Sequence, residues 1–361
     1  MPIDDYVTLG HSGLRVSPFC LGAMTFGQDD WGSSVADSQR IMDAYIDRGG
    51  NFIDTANLYT RGRSEKIIGE HLGHGPRKRQ RLVLATKFFG SLFPGDPNAG
   101  GTSRKAIHAQ LDESLRRLET DYVDLYWMHA WDKFTPIDET MRTLDDLVRA
   151  GKIRYIGFSD TPAWKVAEAQ VTAQLRGLSP LVALQIEYSL LERTVEGEFL
   201  AMADELGLGV MPWSPLKNGV LTGKYARRDK GNHAPDRGAF ALPALSDDRT
   251  FDVIECAERI ASELDATVAQ VALAWLCGRR AVASPVVGAR TIGQLEQNLK
   301  ALDLRLTDLQ RQQLDEASKP QLAFPAAFLE FVGRVAYGGT TIRGVSYPAT
   351  PYAPKSDADR Y

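Results

Sequence analysis

A chain of 361 residues with 42 Lys and Arg against 46 Asp and Glu has a formal net charge of −4 and no basic stripe, which excludes nucleic acid as an expected partner and favours a small neutral or anionic ligand. The three cysteines, Cys20, Cys256 and Cys277, form no CxxC pair and are expected as free thiols of a reducing compartment. The opening MPIDDYVTLG has neither the basic start nor the apolar core of a secretion signal, and no apolar run approaches the roughly 18 residues of a membrane span, so a soluble cytoplasmic protein is expected.

A short β-hairpin is expected at the N-terminus. Beyond it, apolar runs rich in β-branched residues recur at FCL (19–21), FID (52–54), RLVLATK (81–87) and YVDLYWMH (122–129). They continue at IRYIGFS (153–159), LVALQIEYS (181–189), LGVMPWS (208–214) and ASPVVG (283–288). Segments of helical spacing lie between most of them, beginning for example at Ser64 as an N-cap, at Ser103, at Ile137 and at Thr291. Eight strand–helix repeats predict a parallel (β/α)8 barrel, a TIM barrel, over residues 1–318, with a doubly wound open sheet as the alternative. Two segments break the rhythm. Residues 217–248 are rich in Gly, Pro and charge and are expected to form a flap. Residues 319–361 form an aromatic-rich C-terminal tail with no further strand–helix unit; its apolar first part is expected to cover the barrel mouth and its end to be disordered.

In such a barrel chemistry gathers at the carboxyl ends of the strands. The polar residues fall there: Asp54 on the second strand, Lys87 on the third, His129 on the fourth, Ser159 on the fifth, Gln185 and Glu187 on the sixth, Trp213 and Ser214 on the seventh, Gly288 on the eighth. Tyr59 lies in the loop just past Asp54. A tyrosine holds its proton to a pKa of about 10, and a lysine ammonium beside it stabilises the phenolate and lowers that value. Asp54 would keep the lysine charged and oriented, and His129 would position a substrate oxygen. The four together suit proton transfer to a carbonyl oxygen as a hydride reaches the carbon. Each taken singly has a plainer reading, Asp54 and Lys87 as a structural ion pair and His129 as a core histidine. Asp54 and Glu187 also leave a glycoside hydrolase open, a reading that gives Lys87 and Arg290 no role. HLGH (71–74) has a possible metal spacing but no third ligand near it, and no metal is expected.

The motifs GAMTFG (22–27), NFIDTANLY (51–59), ATKF, YVDLYWMH, GKIRYIGFSD, LQIEYSLLER, WSPL…GVLTGKY and VVGARTIGQLEQN resemble, in order, those of the aldo-keto reductase family, in its longer-chain type, over residues 6–314. The resemblance implies Tyr59 as proton donor, Lys87 and Asp54 as the groups that tune it, and His129 as the residue orienting a carbonyl. It also implies a nicotinamide cofactor, although no GxGxxG is present to hold a pyrophosphate in the Rossmann manner. It sets Ala23, Met24, Thr25 and Asp54 beside that cofactor, Ser159 and Gln185 on the carboxamide, and Tyr188 stacked on the nicotinamide ring. Trp213, Ser214 and Leu216 would follow the ribose and pyrophosphate, and Gly219, Lys224, Gly288, Arg290, Gln294, Gln297 and Asn298 would complete the cradle. A guanidinium clamps phosphate well, so Arg290 favours NADP(H) over NAD(H). Asp160 stands where many members have Asn, and an ionised Asp near the ring is expected to favour the oxidised cofactor. Trp31, Tyr59, Phe88, Phe93, His129 and Trp131 are expected to line an apolar substrate pocket for a carbonyl or alcohol. Potassium-channel beta-subunits share the resemblance, which leaves a redox-sensing role as the second reading. The sequence assigns no particular substrate, direction or oligomeric state.

Overall fold

Successive residues of a strand face opposite ways, so each apolar run offers one row of side chains to the inside of a closed sheet and one to the helices around it. The computed structural model describes residues 1–360 apart from 29, 73–75 and 231–243. Strands β1 (Val7–Thr8) and β2 (Arg15–Val16) pair as the expected antiparallel hairpin. Eight parallel strands follow: β3 (Cys20–Gly22), β4 (Phe52–Asp54), β5 (Val83–Phe88), β6 (Val123–Met128), β7 (Ile153–Ser159), β8 (Leu181–Glu187), β9 (Gly209–Trp213) and β10 (Val286–Gly288).

The strands neighbour one another in chain order, with β10 returning to β3. The ring is drawn together between β9 and the segment entering β10, where Val210 N–H donates to Ala281 O and Ala283 N–H to Val210 O, both at 2.8 Å. Sequential order without a reversal point rules out the doubly wound sheet and gives the (β/α)8 barrel. The helices start largely where polar residues signalled them. Ser103 caps the helix Arg104–Leu118 by accepting from Ala106 N–H, and Thr291 caps Ile292–Leu299 by accepting from Gln294 N–H. Ser64 is a correction: it lies inside the helix Arg63–Leu72, buried, with its hydroxyl donating to Ala23 O at 2.8 Å, because the tight turn before it delivers the chain already helical.

The inner row, including Cys20, Phe52, Ala85, Leu125, Trp127, Ala183 and Met211, forms its own apolar cluster, closed at the amino end of the barrel by Leu9 and Val16 of the hairpin. The outer row, with Leu21, Ile53, Leu84, Tyr126, Phe158, Leu184 and Ile186, packs against the helices. Trp127 is wholly buried, and its β7 neighbour is Gly157 because a Cβ there would stand 2.3 Å from the indole ring. Truncating such a residue to Ala costs about 3–5 kcal/mol.

The tail carries secondary structure of its own, which the sequence did not signal. It forms a helix, Ala326–Tyr337, and a second antiparallel hairpin, β11 (Thr340–Ile342) with β12 (Val345–Tyr347). The two-residue turn between these strands, Arg343-Gly344, has both residues at positive φ, the primed-turn geometry whose usual signal is Asn-Gly or Asp-Gly. Tyr347 closes on the helix at Tyr337, ring centres 5.4 Å apart. The tail meets the barrel beside Gly197, next to Leu322 and Ala326, and Phe324, Phe328 and Leu329 stay exposed. Among the described residues no single helix is long and apolar enough to cross a membrane.

Candidate active site

Strand parity brings the first four candidates together. Asp54 ends β4 on the inner face, and Lys87 lies two residues past the inward Ala85 on β5, so the two meet at the rim. The Lys87 ammonium donates to the Asp54 carboxylate, to Thr55 O at 2.9 Å and to Tyr59 Oη at 3.2 Å, which uses all three of its protons. The second Asp54 oxygen accepts from Gln185 Nε2 at 3.4 Å across the barrel. Tyr59 is presented by a turn in which Thr60 and Arg61 adopt positive φ, anchored by Thr60 Oγ1 donating to Phe26 O at 3.0 Å. Side-chain residues in that conformation store backbone strain, which concentrates at functional sites. His129 follows β6 and meets the Tyr59 ring edge-on, centroids 5.6 Å apart, with a buried Nδ1 that has no hydrogen-bond partner.

Burial governs the electrostatics here. It pushes the His129 pKa down to about 3, with Lys87 adding to the effect, so the imidazole is neutral around pH 7. Burial also pushes the Tyr59 phenol above its ordinary value. Lys87 opposes that shift with the expected sign without cancelling it, so the net direction is the reverse of the sequence expectation. For Lys87 burial works downward, but Asp54 and then Tyr59 outweigh it and hold the ammonium charged.

The rest of the rim is built from loops after β7, β9 and β10. Ser159 ends β7 facing inward, its hydroxyl buried without a hydrogen-bond partner. Asp160 has φ 41° and accepts from Trp213 Nε1 at 3.0 Å. Ser214 has φ 50°, and its hydroxyl accepts from Asn218 N–H at 3.0 Å; Leu216 O receives the N–H of Gly219, also at 3.0 Å. Ala23 N–H donates to Asp54 O at 2.8 Å, Met24 is exposed, and Thr25 Oγ1 donates to Ala289 O at 3.4 Å. A Cβ on Gly288, Gly219 or Gly293 would meet nothing closer than 3.9 Å, and at Gly219 the neighbour is Lys224 Nζ.

Arg290 N–H donates to Gln294 Oε1 at 2.9 Å, and the Arg290 guanidinium reaches only Trp31 O at 3.4 Å, with no carboxylate beside it among the described residues. Asn298 ties Gly288 O at 3.2 Å, and the Gln297 side-chain oxygen is taken by Gln270 at 3.0 Å. These residues are therefore held by bonds within the protein, Gln297 among them through its bond to Gln270. The open glycines, the unpartnered Ser159 hydroxyl and the carboxylate-free Arg290 fit a dinucleotide with an anionic end.

Two expectations are corrected by parity. Gln185 and Glu187 face inward on β8, so Tyr188 faces the helices; it is wholly buried, its hydroxyl bonded to Glu196 at 2.7 Å and Arg279 at 3.1 Å, and it has no face for stacking at the mouth. Trp213, level with Glu187 on β9, is half-buried and donates its indole N–H to Asp160. Phe88 follows the inward Lys87, faces outward and packs on Tyr126 with ring centres 4.8 Å apart, so it lines no pocket. Trp31 and Trp131 are half-buried and Phe93 is exposed. Trp131 stacks edge-on with Trp164, centroids 5.6 Å apart, a rim aromatic that the sequence reading missed although its place just after the fifth strand could have signalled it. The Thr55 carbonyl on Lys87 was also missed, and a backbone group leaves no trace in residue type.

Glu187 is paired with Lys217 at 2.7 Å and Asp54 with Lys87, so both carboxylates of the glycosidase reading are already held by ammonium groups. The expected flap lies partly outside the described residues, at 231–243; beyond Lys217, Arg227 ties the segment to Asp252 and Glu255 at 2.6 and 2.8 Å. Of the HLGH stretch, His71 bonds Asp43 at 2.9 Å and His74 lies outside the described residues.

A model of the aldo/keto reductase family matches residues 18–319. An uncharacterized oxidoreductase, YrpG, of Bacillus subtilis is 39% identical over 311 residues, 84% of this chain and 92% of that protein. An aryl-alcohol dehydrogenase of Pestalotiopsis microspora is 35% identical over 334 residues, 90% and 84% of the two chains. A probable voltage-gated potassium channel subunit beta of rice is 39% identical over 310 residues, 83% and 91%.

Proposed function

Because the chain belongs to the aldo/keto reductase family, we propose that it is an NADP(H)-dependent oxidoreductase that interconverts an aldehyde or ketone and the corresponding alcohol, with Tyr59 as general acid and base. The observation that carries this is the single ammonium of Lys87 bonded at once to Asp54 and to the Tyr59 hydroxyl. A bound nicotinamide supplies the hydride in one direction and accepts it in the other. In reduction the Tyr59 hydroxyl gives its proton to the carbonyl oxygen, and Lys87 stabilises the phenolate left behind. The neutral His129 holds the substrate oxygen by a hydrogen bond without competing as an acid. In oxidation the same phenolate takes the alcohol proton.

Ser159 and Gln185 would hold the carboxamide, Trp213 the ring, and Gly288, Arg290 and Asn298 the phosphate end, with Arg290 rewarding a 2′-phosphate. The aryl-alcohol dehydrogenase among the relatives makes aromatic aldehydes and alcohols the first substrates to try. We read the protein as cytoplasmic and residues 319–361 as a C-terminal extension whose apolar first part covers the mouth; removing it should change KM for bulky substrates more than kcat.

The test is NADPH oxidation against a panel of aldehydes and ketones, with Tyr59→Phe alongside. Turnover that collapses in the variant while NADPH still binds supports the reading. Wild-type protein that binds no nicotinamide cofactor overturns it. The rice relative supports a second reading, a regulatory subunit that senses redox state; tight NADPH binding with slow single-turnover oxidation and no cycling would favour it.

A further inference from the structure

We propose that Asp160 makes this barrel hold the oxidised nicotinamide more tightly than the reduced one. The inference rests on the cofactor reading above and concerns how that same site distinguishes the two redox forms. Ser159 ends β7 facing inward, so a regular continuation of the strand would point residue 160 away from the mouth. The backbone instead turns left-handed at Asp160, and its N–H donates to Gln185 O at 3.2 Å, binding the loop to the end of β8. The side chain thereby reaches past β8 to β9, where its Oδ1 accepts the Trp213 indole N–H at 3.0 Å.

The carboxylate thus stands at the rim among Ser159, Gln185 and Trp213, the residues read as meeting the carboxamide and the ring. It has no cation of its own. Among the described residues no ammonium or guanidinium is paired with it; Lys87 is bonded to Asp54, Thr55 and Tyr59, and Lys217 to Glu187. The residue is exposed, so a ligand can approach it.

The chemistry of the two cofactor forms then decides the sign. They carry the same phosphates and differ at the ring, which is cationic when oxidised and neutral when reduced. A carboxylate with no cation paired to it, beside the ring, attracts the first and does little for the second, and only such a differential interaction moves a redox equilibrium on a protein. The bond to Trp213 gives Asp160 a separate positioning role, and the two roles respond to different substitutions.

Asp160→Asn removes the charge and keeps an oxygen that can accept the indole N–H. Asp160→Ala removes both. Purified wild type and both variants would be titrated separately with NADP+ and NADPH, following tryptophan fluorescence, with folding checked by circular dichroism. The expected result for Asp160→Asn is a rise of about tenfold in Kd for NADP+ with Kd for NADPH nearly unchanged. That corresponds to a bound cofactor whose reduction potential rises by about 30 mV. An unchanged ratio of the two affinities in Asp160→Asn overturns the proposal. A parallel loss of both affinities in both variants overturns it too, leaving Asp160 as a support for Trp213 alone. Wild-type protein that binds neither form removes the cofactor reading, and this inference with it.

Discussion

On the β4 to β6 side of the mouth, Lys87 places its protons on Asp54, Thr55 and Tyr59 and no charge is left over. On the β7 to β10 side, among the described residues, the Ser159 hydroxyl has no partner, the Arg290 guanidinium touches only a carbonyl, and a Cβ on any of three glycines would meet nothing closer than 3.9 Å. Burial explains the contrast. A fully buried ammonium must be compensated inside the protein whether or not anything is bound, because an unpaired charge there is strongly destabilising. Arg290 and Asp160 stand where water reaches, so they can wait for a charge that arrives with a ligand. On the proposed reading the proton-transfer half is preorganised by the fold, and the cofactor half is left to be completed by its ligand.

The comparison can be broken most directly at Tyr59. Tyr59→Phe should lower turnover by about 10²- to 10⁴-fold with NADPH affinity intact, measured by steady-state kinetics and fluorescence titration. Equal loss of binding would mean that the two halves are not separable.

Lys87→Met should act on stability as well as activity, since it strands Asp54 in the core. A loss of about 3–5 kcal/mol in urea unfolding is expected. The double variant with Asp54→Asn should recover part of it, which a simple packing defect would not.

Arg290→Leu sharpens the other half. NADPH affinity should fall by about 10- to 100-fold, NADH affinity should hardly move, and stability should stay within about 0.5 kcal/mol of wild type. A drop in both cofactor affinities would place Arg290 on the pyrophosphate instead.

Near neutral pH the smallest effect concerns His129. Its pKa in the folded protein is about 3 against an ordinary 6.5, so below pH 6.5 the unfolded chain takes up a proton that the folded one refuses. Its contribution is complete above pH 6.5 and is lost as pH falls toward 3, by at most about 1.4 kcal/mol per pH unit. His129→Gln should flatten that part of the stability profile. The same shift predicts no activity limb near pH 6.5, and a limb there that vanishes in the variant would show a charged imidazole at work.

Much of this was legible before any coordinates. Eight apolar runs separated by helical spacing specify strands and helices because strand and helix periods are local properties of the chain, and the caps at Ser103 and Thr291 are local hydrogen bonds. The acid, lysine, tyrosine and histidine were found because they cluster at strand ends, where the barrel gathers chemistry.

What the sequence determined by itself, then, was residue type and order along the rim. Which way each residue faces was decided by the tertiary structure. Tyr188 and Phe88 are one position from inward residues and for that reason point outward; a period of two makes a single step the difference between cofactor and core. Asp160 goes the other way, turned by a left-handed backbone that Asp tolerates better than most residues but does not by itself specify. The Tyr59 phenol shows the same division energetically: its neighbour Lys87 could be read from the sequence, but the burial that outweighs Lys87 exists only once the chain has packed, because desolvation depends on everything that surrounds the group.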